Sequence, residues 1–119
     1  MLNDASGFEK IYIAYGYSDL RRGIDGFASI IQQKFKLDPF HPGILFLFCG
    51  RKNDRIKGLL WEGDGFLLLY KRLETGKFQW PRTEEEVKSI SPQQYKWLME
   101  GLSIEQKKAI KKLTPTQVL

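Results

Sequence analysis

Two clusters of basic side chains in this sequence have the types and spacing needed to hold an anion. The first is Arg51, Lys52, Arg55 and Lys57, with Asn53 among them. Positions 51, 53, 55 and 57 share parity, so an extended chain projects them from one face along a groove edge roughly 20 Å long. Trp61 has the same parity, and its indole is of a kind that stacks on a base or packs on a sugar. Lys71, Arg72, Lys77, Trp80 and Arg82 follow one or two turns further on. Guanidinium and ammonium groups at such intervals suit phosphate contacts. The plainer alternative is a solvated hairpin tip, with Trp61 and Trp80 in the core.

The second cluster is Arg21 and Arg22 within Asp19-Leu-Arg-Arg-Gly-Ile-Asp-Gly26. Arg21 and Asp25 are four residues apart, which on a helix sets them face to face. Two arginines at a helix start oppose the macrodipole, and an anionic partner would offset that local cost. Acidic chemistry is a third option: Asp54, Glu62 and Asp64, with Asp19 and Asp25, are oxygen donors of the kind that hold Mg²⁺ for phosphoryl transfer. Glu62 and Asp64 sit in a Glu-Gly-Asp-Gly turn, though, where carboxylates commonly stabilise the turn itself. Cys49 lies in an apolar run and reads as a buried, inert thiol, and His41 has no evident partner. One cysteine and one histidine do not make a structural zinc site or an internal disulfide. Phosphate-loop and dinucleotide fingerprints are both missing. The residues therefore point to no catalytic residue, metal, cofactor or small-molecule substrate.

The elements that must position these groups follow from the chain's patterning. At 119 residues, 42% hydrophobic and 28% charged, it has the length and balance of one globular domain. The net charge of +5 is uneven: residues 51–82 carry eight basic and four acidic side chains, whereas residues 1–50 balance at five each. A localised excess of this kind is the electrostatic footprint of a nucleic-acid partner. The longest apolar run, Ile44 to Cys49, is far too short to span a membrane, and no leader pattern opens the sequence. The reading is a soluble, cytoplasmic protein.

Lys10 to Tyr15 reads as a strand ending at Gly16. Ser18 has N-cap character, and Leu20, Ile24, Phe27, Ile31 and Phe35 form one stripe, so a long helix is expected over about 19–36. Gly23 and Gly26 inside it point to close approach of another backbone. Strands are expected at 44–49, 55–61, 66–73 and 77–80, separated by turn-forming residues, and short connections make such neighbours antiparallel. Ser91-Pro92 opens a short helix with Tyr95, Leu98, Met99 and Leu102 on its apolar face, ending near Gly101. A second, lysine-rich helix is expected from Ser103 to Leu113. The fold class is α+β: an antiparallel meander of four to five strands with one long helix and C-terminal helices. Residues 1–102 form the domain and 103–119 a lysine-rich helix or tail. Two strands are apolar on both faces, so the sheet needs a cover on each side: helix, curvature or a second subunit.

The order of several motifs resembles a known family. Ile11-Tyr-Ile-Ala-Tyr-Gly16, Asp19 to Gly26 and Asp38-Pro-Phe40 come first. Leu45-Phe-Leu-Phe-Cys-Gly-Arg-Lys-Asn-Asp-Arg-Ile-Lys57 and Leu60-Trp-Glu-Gly-Asp-Gly-Phe66 follow, then Tyr70-Lys-Arg-Leu-Glu74 and Gly76-Lys-Phe-Gln-Trp-Pro81. Together they resemble the TnpB accessory proteins, second-reading-frame products of bacterial insertion sequences of family 66, over about residues 11–102. These are unrelated to the RNA-guided nuclease of the same name. The resemblance implies a role in DNA transposition and recombination beside a separate transposase that carries the catalytic acids. It runs through both basic clusters, and no catalytic residues are carried over. The expected function is a non-catalytic accessory protein binding DNA, transposase or both. Its nucleic-acid contacts are expected from Arg21, Arg22, Arg51, Lys52, Arg55, Lys57, Lys71 and Arg72, with Trp61 and Trp80 as stacking or interface residues. The alternatives are a protein-interaction module that forms a homodimer or docks on transposase, and a small metal-dependent nuclease.

Overall fold

Strand β1 (Lys10–Ala14) puts Ile11 and Ile13 on one side and Tyr12 and Ala14 on the other, and both sides are needed because the strand lies inside a sheet. The computed structural model describes residue 2, residues 5–83 and residues 86–105. Strands β2 (Ile44–Cys49), β3 (Arg55–Trp61), β4 (Phe66–Arg72) and β5 (Val87–Ile90) complete a five-stranded sheet in the order β4-β3-β2-β1-β5. The expected meander is present as β2-β3-β4. The sheet is mixed, however, not antiparallel throughout, because β1 runs parallel to β2. A parallel pair requires a long crossover. Residues 15–43 supply one, and they contain helix α1 (Ile24–Ser29).

The expected strand at 77–80 is not formed. Phe78 and Trp80 do alternate, but they plug one face of the sheet instead of pairing along an edge, and both are buried. The Trp80 indole donates to the Ala14 carbonyl at 2.8 Å, and the Phe78 amide donates to the Asn53 carbonyl at 2.6 Å. The second edge belongs to β5, antiparallel to β1.

The long helix is shorter than its stripe. Asp19 Oδ1 accepts from the Arg21 amide, and the Arg22 amide bonds the Asp19 carbonyl, which closes a turn over residues 19–22. Such a side-chain bond competes with helical hydrogen bonding. Gly23, in extended conformation, therefore caps the helix in place of Ser18. Beyond Ser29 the coil widens into one π turn (Ile30–Lys34), in which the Phe35 amide reaches the Ile30 carbonyl. Lys36 at φ 58° then ends it, with the Leu37 amide bonded to the Ile31 carbonyl. Neither helix glycine meets another backbone: a Cβ on Gly23 would find open space, and one on Gly26 would meet the Arg22 side chain.

Two apolar layers cover the sheet. Phe27 and Ile31 of the α1 segment pack on Phe46, Phe48 and Leu59, with the Phe27 and Phe48 rings 4.4 Å apart. The opposite face carries Ile11, Ile13, Leu45, Leu47 and Ile56. Helix α2 (Pro92–Met99) covers that face with Tyr95 and Leu98, helped by Phe78, Trp80, Leu2 and Ile104. Ser91 and Gln94 form a reciprocal capping box at its start. At its end Gly101 turns at φ 81°, but Leu102 is 47% exposed and leaves the expected apolar stripe. Ser103–Glu105 is not helical, and the rest of the expected 103–113 helix lies outside the described residues. No helix among the described residues is long and apolar enough to cross a membrane.

A cation-lined groove as candidate functional site

Helix α1 covers only part of its face of the sheet. Where it stops, the ends of β3 and β4 are left as the floor of a groove of about 970 Å³. Alternation along β3 sends Arg55 and Lys57 to that face, and alternation along β4 sends Leu68, Tyr70 and Arg72 there. One wall is the β2–β3 turn, with Gly50, Arg51 and Lys52. The other is the β1–α1 turn, with Ser18, Asp19, Leu20 and Arg21. The walls are close because the Ser18 amide donates to the Cys49 carbonyl at 2.9 Å, and a Cβ on Gly50 would stand 3.3 Å from Leu20. Two segments thirty residues apart in sequence thus share one site.

Five cations and one carboxylate line this groove. Asp19 is held by Arg21 through contacts of 3.0 and 2.9 Å, so Arg21 pairs with Asp19 and not with Asp25 as its spacing suggested. Those hydrogen bonds lower the Asp19 carboxyl to about 2. Asp54 receives Arg55 Nε at 2.9 Å and is likewise held below its ordinary range. Arg55 lies directly across from Arg72 in the ladder, a repulsive pair. Each has its own carboxylate, Asp54 for Arg55 and Glu74 for Arg72 at 3.0 Å. Among the described residues no carboxylate ion-pairs with Arg51, Lys52 or Lys57. Lys57 Nζ donates to the Arg22 carbonyl at 3.3 Å, which ties the floor to the helix approach.

The remaining nominated residues are distributed differently. Arg22 is exposed at the rim, its side chain beside Gly26. Lys71 is paired with Ile56 and emerges on the opposite face of the sheet, away from the groove. Asn53 turns out of the expected row to accept from Arg82. Trp61 does share the Arg55 and Lys57 face, but at the far end of β3, in an aromatic trio with Phe40 and Phe66. Trp80 is interior. Asp54 and the Glu62/Asp64 turn lie at opposite ends of β3, and no three His, Cys, Asp or Glu among the described residues group closely enough to hold a metal ion.

Sequence reasoning gave Arg82 no specific role, yet it is the hub of the site. It donates to the Gly16 carbonyl, the Gly50 carbonyl and Asn53 Oδ1, joining the end of β1 to the β2–β3 turn. Its guanidinium also lies 4.2 Å from the centre of the Tyr17 ring. Its place in the row of basic residues over 71–82 and the proline before it marked the position, and neither says anything about three acceptors converging on the side chain. Cys49 is buried as expected, and burial pushes its thiol up to about 11.

Fold and site define a small mixed α/β protein whose distinguishing feature is a groove lined by arginine and lysine. The chain belongs to the IS66 Orf2-like family, whose profile matches residues 9–109. Members of that family are accessory proteins of insertion elements, which places the chain in transposition. Two relatives come from Sinorhizobium fredii (strain NBRC 101917 / NGR234). The uncharacterized protein y4hO is 38% identical over 93 residues, covering 78% of this chain and 80% of its own. The uncharacterized protein y4jC is 31% identical over 109 residues, covering 92% of each. No solved structure matches the chain.

Proposed function

We propose that the groove binds the DNA phosphate backbone, so that this non-catalytic accessory protein holds transposon DNA for the transposase encoded by the same element. One observation carries the reading: Arg51, Lys52 and Lys57 line a shared groove, and no carboxylate among the described residues pairs with them. An unneutralised cluster is repulsive in isolation and is stabilised when phosphates enter and counterions leave. Arg21, Arg22, Arg55 and Arg72 supply further charge at the rim and floor. Contacts of this kind position a duplex without reading its sequence, so sequence choice falls to the transposase or to DNA shape. The protein works in the cytoplasm, with residues 1–102 as its domain and 103–119 as a lysine-rich appendage.

The aromatic trio favours a second, compatible contact. Phe40, Trp61 and Phe66 have ring centres 4.8–5.1 Å apart, and Phe40 is 47% exposed. Exposed aromatics of this type anchor protein interfaces, and we assign this end of the sheet to transposase. Fluorescence anisotropy on duplex DNA across a salt series tests the primary reading. Binding that weakens steeply with salt, and whose affinity and salt dependence both fall on Arg51→Ala with Lys52→Ala, is the expected result. No binding at low salt overturns it and leaves the transposase contact as the function.

A further inference from the structure

Among the described residues four large hydrophobic side chains are more than 45% exposed: Tyr17, Phe40, Tyr70 and Leu102. Two of them, Tyr17 and Tyr70, border the cationic groove. Tyr70 is part of its lining, and Tyr17 is joined to it through its chain neighbour Ser18 and through Arg51. Tyr17 is 59% exposed although Arg82 lies 4.2 Å over its ring. Arg82 is fixed by its three oxygen acceptors, so it holds the ring in one orientation at the groove's edge. Arg51 approaches the same ring more loosely, at 5.9 Å. Tyr70 is 54% exposed, with Lys57 Nζ 5.8 Å from its ring centre and its hydroxyl beside Arg55. Each tyrosine is therefore an exposed aromatic ring next to a cation that no carboxylate among the described residues pairs with, Arg51 for Tyr17 and Lys57 for Tyr70.

A duplex hides the faces of its bases within the stack, so rings of this kind have nothing to stack on there. Unpaired bases do present their faces, and alternating aromatic and basic side chains are how proteins hold single strands. Tyrosine is suited to the task because it loses little rotamer freedom on ordering. We infer that Tyr17 and Tyr70 stack on unpaired bases, and that the groove selects single-stranded DNA over duplex. This rests on the phosphate-binding reading, since the same groove must hold the backbone between the stacked bases. The stacking residues are thus not the tryptophans nominated from sequence: Trp80 is buried, and Trp61 sits with Phe40 and Phe66 at the far end of β3.

The test compares four probes by anisotropy: a single-stranded oligonucleotide, its abasic counterpart, the duplex, and an RNA of the same sequence. The wild-type protein is expected to bind the base-bearing single strand about tenfold tighter than the abasic strand for each base stacked. The double variant Tyr17→Leu/Tyr70→Leu brings the base-bearing and abasic single strands to equal affinity, and the duplex probe reports separately on phosphate binding. Tyr17→Phe/Tyr70→Phe, which keeps both rings, retains the preference and controls for folding. A leucine variant that still distinguishes base-bearing from abasic strands overturns the inference while leaving phosphate binding intact. RNA bound more tightly than the DNA strand overturns the assignment to transposon DNA. Loss of binding to every DNA probe at low salt overturns the phosphate reading, and the stacking inference with it.

Discussion

Removing Arg51 and Lys52 together is the sharpest perturbation of the groove, because neither side chain has an ion-pair partner among the described residues. Arg21 and Arg55 are discounted, since each carries a carboxylate at 2.9 Å that a phosphate would have to displace. Of the five cations that line the groove three then remain to neutralise phosphate: Arg51, Lys52 and Lys57. Each contributes about −0.9 to the slope of log K against log salt on duplex DNA, so the wild-type slope should be near −2.7. Between about 50 and 200 mM salt that slope means a loss of roughly 40-fold in affinity. The Arg51→Ala/Lys52→Ala protein keeps one such contact, so its slope should flatten to about −0.9 and its loss shrink to roughly fourfold over the same range. The two anisotropy curves should therefore converge as salt rises. Parallel curves, with the variant merely displaced, would show that the alanines disturbed something other than phosphate neutralisation. Superimposed curves would remove this wall from the site altogether.

Arg21 hydrogen bonds hold the Asp19 carboxyl near 2 against an ordinary 3.8, so their stabilising effect is complete above 3.8 and is lost as pH falls toward 2. Arg21→Ala should return the Asp19 midpoint toward 3.8 in a carboxylate NMR titration. Burial raises the Cys49 thiol to about 11 from 9.0, so stability should decline as pH climbs from 9.0 toward 11. Iodoacetamide should leave native Cys49 unlabelled at pH 9.0 and label it in urea. Phe27 is fully buried against Phe48, and Phe27→Ala should cost about 3–5 kcal/mol, measured as a shifted urea midpoint.

Local chemistry made the meander legible. Asn53-Asp54, Gly63-Asp64-Gly65 and Gly76 announce turns, and the apolar runs between them have the length of strands. The Ser91 cap and Gly101 stop were equally local signals. What escaped was set by pairing across distance. The parallel alignment of β1 with β2 depends on where a 29-residue crossover lands, and the residues of β1 do not encode it. Val87–Ile90 is a strand only because β1 offers an edge, since two of its four residues are polar. Conversely, Phe78 and Trp80 have strand periodicity but no edge to pair with, and their burial decided the outcome.

The same distinction explains why the site was half visible. Both basic clusters were evident from composition, but nothing in either predicts that they share a groove. They meet because the parallel crossover brings the start of the α1 segment back over the end of β2, where the Ser18 amide finds the Cys49 carbonyl. Asp19 then draws Arg21 into a turn before the helix begins, so the macrodipole cost inferred from a longer helix does not arise. What calls for an anionic partner is accordingly unpaired charge in a shared cleft, not strain at a helix start. That is the stronger ground, because it concerns Arg51, Lys52 and Lys57 as well. It also explains Arg82: a guanidinium spent on three fixed acceptors holds the cleft's two walls together, and leaves phosphate to the cations that have no such partners.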